Sequence, residues 1–175
     1  KPERSTSWDV GVDQDLWNNR IRLRATYFRT AFTDAIVCCT PLPTATFGGP
    51  FNAGRARSQG VEVGGDVDIL PSLIASVTYT YTDTDNFTTG RPLPRIPRNA
   101  GSVGLTWQPL PSLSTFVQVY VIERQFDPVG DVYNSGHTRV DLGGTWRILN
   151  QMGVLQTLEL TARVQNALNE KYAEV

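Results

Sequence analysis

Apolar side chains recur at every second position along most of this chain. Between Gly60 and Ile69, Val61, Val63, Val67 and Ile69 alternate with Glu62, Gly64, Asp66 and Asp68. Val77, Tyr79 and Tyr81 alternate with Ser76, Thr78 and Thr80, and Val103, Leu105 and Trp107 alternate with Ser102, Gly104 and Thr106. Val140, Leu142 and Trp146 likewise alternate with Arg139, Asp141 and Thr145, and Leu158 and Leu160 with Glu159 and Thr161. A period of two puts all of one kind on one face of an extended strand, whereas a helix would need a period of 3.6.

The alternation predicts eight strands, near residues 5–16, 20–37, 52–69, 73–87, 98–108, 113–126, 135–149 and 157–168. Short turns fall at Asn18-Asn19, at Leu70-Pro71-Ser72 and at Pro109-Leu110-Pro111-Ser112, with a longer one near 150–156. Longer links rich in Pro, Gly and Thr fall between them, at 38–51, 88–97 and 127–134. The expected fold is all-β, an antiparallel up-and-down meander with short turns on one rim and long links on the other. Outer-membrane barrels have that asymmetry. Such a meander is expected in the wall of a transmembrane β-barrel; taken alone, it would be an open curved sheet.

Composition agrees once the alternation is known. The 175 residues are 40% hydrophobic and 19% charged, and the longest apolar run is the five residues Ala35 to Cys39. A spanning helix needs about 20, but a spanning strand needs only alternate apolar positions. Trp17, Trp107 and Trp146 all precede short turns, and Tyr79 and Tyr81 lie on the apolar face toward the other rim. Aromatic residues near both ends of an apolar band mark a lipid-facing wall. The expected lipid-facing set is Val61, Val63, Val67, Ile69, Val77, Tyr79, Tyr81, Val103, Leu105, Trp107, Val140, Leu142, Trp146, Leu158 and Leu160.

The first hairpin sets a register. If Asn18-Asn19 is a two-residue turn, Asp15 faces Arg22 and Asp13 faces Arg24 on one side of the sheet. Leu16 then faces Ile21, Val12 faces Ala25 and Val10 faces Tyr27 on the other. One register thus sorts charge against charge and apolar against apolar, as cross-strand pairing favours. Asp13, Asp15, Arg22 and Arg24 are expected on the lumen side as charge pairs that hold the wall.

Four segments, in order, resemble the barrel of TonB-dependent outer-membrane receptors. Lys1-Pro2-Glu3-Arg4-Ser5 through Gly11-Val12 is similar to a barrel-strand opening in that family, and Asn52-Ala53-Gly54 through Gly60-Val61-Glu62-Val63 to a later strand. Ala75 to Thr82 followed by Pro92 to Asn99 resembles the next hairpin, and Arg163-Val164-Gln165-Asn166 through Lys171-Tyr172 the signature before the last strand. The resemblance implies a 22-stranded barrel filled by an N-terminal plug. Residues 1–175 would be its C-terminal part, without the plug, the TonB-contacting box or the last strand. It also implies import of a scarce metal chelate, cobalamin or a ferric siderophore, powered through TonB, in the outer membrane of a Gram-negative cell. The final stretch is most similar to members that carry cobalamin.

Chemistry is sparse. His137 is the single histidine; with Ser135 and Asp141 it suggests a hydrolytic triad only by composition, since neighbours two apart on a strand have no reason to form a nucleophile–base bond. No catalytic residue, metal site or cofactor is expected. Cys38-Cys39 are adjacent and suit neither a disulfide framework nor zinc. A net charge of −1 removes the electrostatic case for nucleic acid. Arg91, Arg95, Arg98, Arg55 and Arg57 gather near the long-link rim with Phe51, Phe87, Tyr133 and His137, and arginine forks suit anionic chelates or the phosphates of lipopolysaccharide. Two other architectures fit the alternation: a complete eight-stranded membrane barrel with a structural or adhesive role, and a soluble lipocalin-like binding barrel.

Overall fold

A computed structural model describes residues 2–37, 51–52, 54–128, 131–152 and 155–172, with the side chains of 36–37, 51–52 and 149–156 left aside. Cys38 and Cys39 lie outside the described residues. The strands are β1 (Arg4–Leu16), β2 (Ile21–Thr33), β3 (Ile36–Val37), β4 (Phe51–Asn52), β5 (Arg55–Leu70), β6 (Leu73–Asn86), β7 (Asn99–Leu110), β8 (Leu113–Ile122), β9 (Gln125–Asp127), β10 (Val132–Asn134), β11 (His137–Met152) and β12 (Leu155–Val164). Eight of them form one antiparallel sheet in the order β1-β2-β5-β6-β7-β8-β11-β12, while β3–β4 and β9–β10 are two-residue and three-residue ribbons on the long links.

This is the expected meander, with three corrections. The predicted strand 113–126 breaks after Ile122, and its end turns aside as β9 to pair with β10. The predicted strand 20–37 likewise ends at Thr33, where Asp34 takes a φ of 52°, a left-handed conformation that interrupts pairing. The last hairpin is also tighter than expected, since pairing continues to Met152 and Leu155.

Turn chemistry decides where the ladder is regular. In the first hairpin Trp17, Asn18 and Asn19 have φ of 52°, 55° and 65°, and the Arg20 amide donates to the Trp17 carbonyl at 3.2 Å. Asparagine tolerates the left-handed conformation at the two central positions, Trp17 joins them, and the register runs without a slip from Leu16–Ile21 to Arg4–Thr33. The next two short turns share the tetrapeptide Leu-Pro-Ser-Leu, at 70–73 and 110–113. Proline fixes φ near −65° and excludes the left-handed turn. In both hairpins a register shift follows at once, between Asp68 and Leu70 and between Trp107 and Leu110. A bulge supplies the twist that the turn does not. Ile69 is the extra residue of the first shift, so the ladder does not assign it a face.

The sheet is a single layer. Its apolar face is open: Val63 is 43% exposed, Val77 48%, Val103 56%, Leu105 46%, Trp107 52%, Trp146 51% and Leu160 58%. Cross-strand rows such as Val67–Ala75–Leu105–Val117–Leu142 carry that face across the sheet. Val61, Val67, Leu142 and Leu158 are exposed on it too, and Tyr81 and Val140 are half-buried. The valines therefore do not fill a closed interior, which removes the lipocalin-like alternative. β1 and β12 stand at opposite edges of the sheet, which removes the closed eight-stranded one.

The polar face is held by ionic and aromatic contacts. Asp13–Arg24 and Asp15–Arg22 are cross-strand partners, as the turn predicts. The guanidinium groups, however, turn toward β5. Arg22 binds Asp68 at 3.0 Å and lies 4.0 Å from Asp66, and Arg24 lies 3.8 Å from Asp66. Each arginine stands between two acidic strands, and for Arg22 the two-bond contact with Asp68 decides the side.

Candidate functional site

β6 outruns its neighbour. Pairing with β7 ends at Tyr81–Asn99, so residues 82–86 keep one edge free of that strand. The link that follows folds back along this edge. Asn86 closes it: its amide donates to the Arg91 carbonyl at 2.9 Å, and its side-chain oxygen accepts from the Thr88 and Thr89 amides. Gly90, at a φ of 66°, makes the return, and the Leu93 amide donates to the Thr84 hydroxyl at 3.0 Å. Asn86 is nearly buried because these bonds wrap it.

Across the gap stands the β9–β10 ribbon. The Arg95 amide donates to the Phe126 carbonyl at 2.9 Å, and Arg91 bonds Asp131 at 2.7 Å. Phe126 packs against Tyr133 with ring centres 5.6 Å apart. The Arg91 guanidinium lies over Phe126 at 5.9 Å, and that of Arg124 over Tyr133 at 4.9 Å. Between ribbon and strand edge is a pocket of about 300 Å³ whose lining includes Asp83, Asp85, Arg91, Arg98, Arg124 and Tyr133. Glu123 and Phe126 also reach it. Three carboxylates thus face three guanidinium groups beside two aromatic rings. The Arg98 guanidinium is held above its ordinary pKa, by Tyr81 first and by Asp83 and Glu123 after it.

The expected ligand residues divide. Arg91 and Tyr133 line the pocket, with Arg98. Arg95 is exposed with a φ of 62° and contributes its backbone to the ribbon contact. Arg55 is exposed, and its carbonyl accepts from Phe87. Arg57 is two pairs along the same face from Val61, so it extends the apolar face beyond its rim. There it bonds Asp85, lies 3.6 Å from Asp83 and sits over Phe87 at 5.8 Å. The side chain of Phe51 lies outside those described. His137 is apart from the pocket, stacked on Tyr172 with ring centres 3.9 Å apart. Asp141 is fully covered, held by Arg139, Arg163 and the Asn166 amide, and makes no triad with His137. Sequence alone does not single out Phe126, Arg124 and Glu123, because the alternation predicts one strand over 113–126 where the structure breaks after Ile122.

Comparison with known proteins agrees with this architecture. The profile described as TonB dependent receptor-like, beta-barrel matches residues 1–167. The chain belongs to the TonB-dependent receptor β-barrel family. It is 22% identical to a probable TonB-dependent siderophore receptor PiuA of Acinetobacter baumannii over 98% of this chain and 24% of that protein. It is 25% identical to an iron-regulated outer membrane virulence protein of Vibrio cholerae, over 99% of this chain and 29% of that one. Among solved structures, the copper transporter OprC superposes with a TM-score of 0.79 at 22% identity, covering 99% of this chain and 27% of OprC. A ferric enterobactin receptor, PfeA of Pseudomonas aeruginosa, gives 0.74 at 23% identity, over 95% and 26%.

The chain therefore spans about a quarter of the length of these relatives. As a TonB-dependent receptor barrel it lies in the Gram-negative outer membrane, in a family of receptors and not of enzymes. The long-link rim of such a barrel is the extracellular one.

Proposed function

We propose that residues 1–175 form the C-terminal part of the barrel of a receptor that imports a ferric siderophore, with the outer-rim pocket as a contact for the chelate. The two named relatives concerned with siderophores or iron cover almost all of this chain. The observation that carries the reading is the pairing of Phe126 and Tyr133 with Arg91, Arg98 and Arg124 at the extracellular end. Aromatic rings meet the flat organic surface of a chelator, and guanidinium groups meet its charged oxygens. The chelator supplies the donor atoms for the metal. Transport would be driven by TonB through a plug domain beyond residues 1–175, and His137, far from the pocket, is outside the proposed contact.

Uptake of radiolabelled ferric siderophores and of cyanocobalamin by iron-starved cells carrying the full-length receptor tests this. The expected result is saturable uptake of a ferric chelate, with its affinity lowered by about tenfold in Arg124→Ala or Tyr133→Ala, the loss of one well-placed contact. Uptake of cobalamin alone, or wild-type affinity in both variants, would overturn it.

A further inference from the structure

The outer-rim pocket is charge-balanced by its own walls. Asp83, Asp85 and Glu123 stand against Arg91, Arg98 and Arg124 in its lining, so its carboxylates and guanidinium groups cancel. Most of these charges are also matched one to one. Arg91 bonds Asp131 at 2.7 Å. Arg98 donates to the Tyr81 hydroxyl at 2.8 Å and 3.2 Å and lies 3.9 Å from Asp83. Arg57 binds Asp85 and lies 3.6 Å from Asp83, while Glu123 accepts from Asn99.

Arg124 is the exception. Its guanidinium lies over the Tyr133 ring at 4.9 Å, and among the described residues no carboxylate pairs with it. One open cation can meet one anionic or acceptor group of a ligand. A polyanion would press its remaining charges against Asp83 and Asp85, both half-buried on the opposite wall. The arginines nearest those two are already engaged, so nothing offsets the repulsion. In a pocket partly closed to water, such like-charge contacts cost more than they do in bulk solvent.

We infer that the pocket selects for a ferric chelate with no net charge and against a polyanionic one. This rests on the reading of the pocket as a chelate contact, and it names the charge class of that chelate. Iron(III) held by three hydroxamates is uncharged, because each ligand contributes a single negative charge. Held by three catecholates, which contribute two each, it stays strongly anionic. The uncharged complex still offers Arg124 its iron-bound oxygens, and its organic shell still meets Phe126 and Tyr133. Selection is by exclusion: Asp83 and Asp85 act on the wrong ligand more than on the right one.

Equilibrium binding of a ferric trihydroxamate and of a ferric tris-catecholate to the purified full-length receptor tests this, at low and at physiological ionic strength. The wild type is expected to bind the trihydroxamate at least about tenfold more tightly. The gap should narrow as salt rises, because screening weakens the repulsion. Asp83→Asn and Asp85→Asn, measured separately so that one failing to assemble leaves the other to report, should each tighten the tris-catecholate. Either change should cut the ratio to about threefold or less. Since both variants keep the shape of the pocket, a narrowed ratio reports charge and not fit. Equal affinity for the two chelates, tighter binding of the tris-catecholate by the wild type, or an unchanged ratio in the variants would overturn the charge selection. Binding of neither chelate would instead remove the reading of the pocket as a chelate contact, and the charge selection with it.

Discussion

Asp15 and Arg22 stand opposite each other in the first hairpin, yet the Arg22 guanidinium grips Asp68 on the far side, Nη1 to Oδ2 at 3.2 Å and Nη2 to Oδ1 at 3.0 Å. Opposed positions are set by the backbone ladder, whereas ion pairs are set by the reach of the side chains. Arg22 sits on an inner strand with acidic residues on both neighbours. Only Asp68 offers both oxygens to the fork.

A double-mutant comparison follows from this choice. Asp68→Asn is expected to lower the thermal midpoint of the refolded full-length receptor more than Asp15→Asn does. In an Arg22→Gln background the Asp68 effect should largely vanish, because coupling belongs to residues in contact. Equal effects of the two aspartates would mean that Arg22 is shared between them.

How much of this is legible in the sequence depends on what fixes each position. The register of the first hairpin is legible, because Asn18-Asn19 can adopt the left-handed turn and one pairing then follows for thirteen residues. The outward placement of Arg57 is legible too, by counting back in twos from Val61. The slips beside Pro71 and Pro111 are not legible from alternation, since a bulge shifts the ladder while the apolar pattern continues. Nor is the β9–β10 ribbon: the apolar period of Val117, Val119 and Val121 stops at Glu123 and Gln125, but nothing in that pattern says that the chain leaves the sheet to pair with Val132–Asn134. The pocket is built from that departure, so its residues could be named only in part.

The segment after β12 is tied to the sheet by Asp141. Its Oδ2 accepts from Arg163 at 3.0 Å, its Oδ1 accepts from the Asn166 amide at 3.0 Å, and the Arg139 Nε lies 3.1 Å from Oδ1. Asp141→Ala is expected to destabilise the receptor by about 1–3 kcal/mol, the range for leaving covered polar groups unpartnered. Hydrogen exchange should localise the loss, with the Asn166 amide losing its protection and the amides of β6 keeping theirs. Asp141→Asn, which retains an acceptor for that amide, should lose less.

Gly60 is required by close approach. A Cβ there would collide with the Tyr81 carbonyl oxygen and stand 2.8 Å from the Phe28 ring. The ring can move and the carbonyl, inside the ladder, cannot. Gly60→Ala is therefore expected to cost about 1–3 kcal/mol, as overpacking does, and to reduce the yield of assembled barrel measured by heat-modifiable migration. Phe28→Leu should relieve little of it, because the carbonyl contact remains.

The orientation of the sheet makes the last prediction depend on depth. Leu105 lies three rows from Asn99, between Trp107 and Val103 on the outward face, and is 46% exposed there. Gln59 is on the same face but one pair beyond Val61, at the level where Arg57, Asp83 and Asp85 begin. An arginine at the bilayer midplane of a barrel costs about 2–4 kcal/mol and near the interface about 0–1. Leu105→Arg should therefore destabilise the receptor in lipid bilayers by the larger amount and Gln59→Arg by the smaller, measured by denaturant unfolding from vesicles. Thr106→Arg, one residue away on the polar face, separates lipid exposure from mere disruption of the strand. It should cost less than Leu105→Arg, because its charge meets the lumen. A cost for Gln59→Arg equal to that for Leu105→Arg would place the membrane boundary beyond Arg57 and would put the charged rim inside the bilayer.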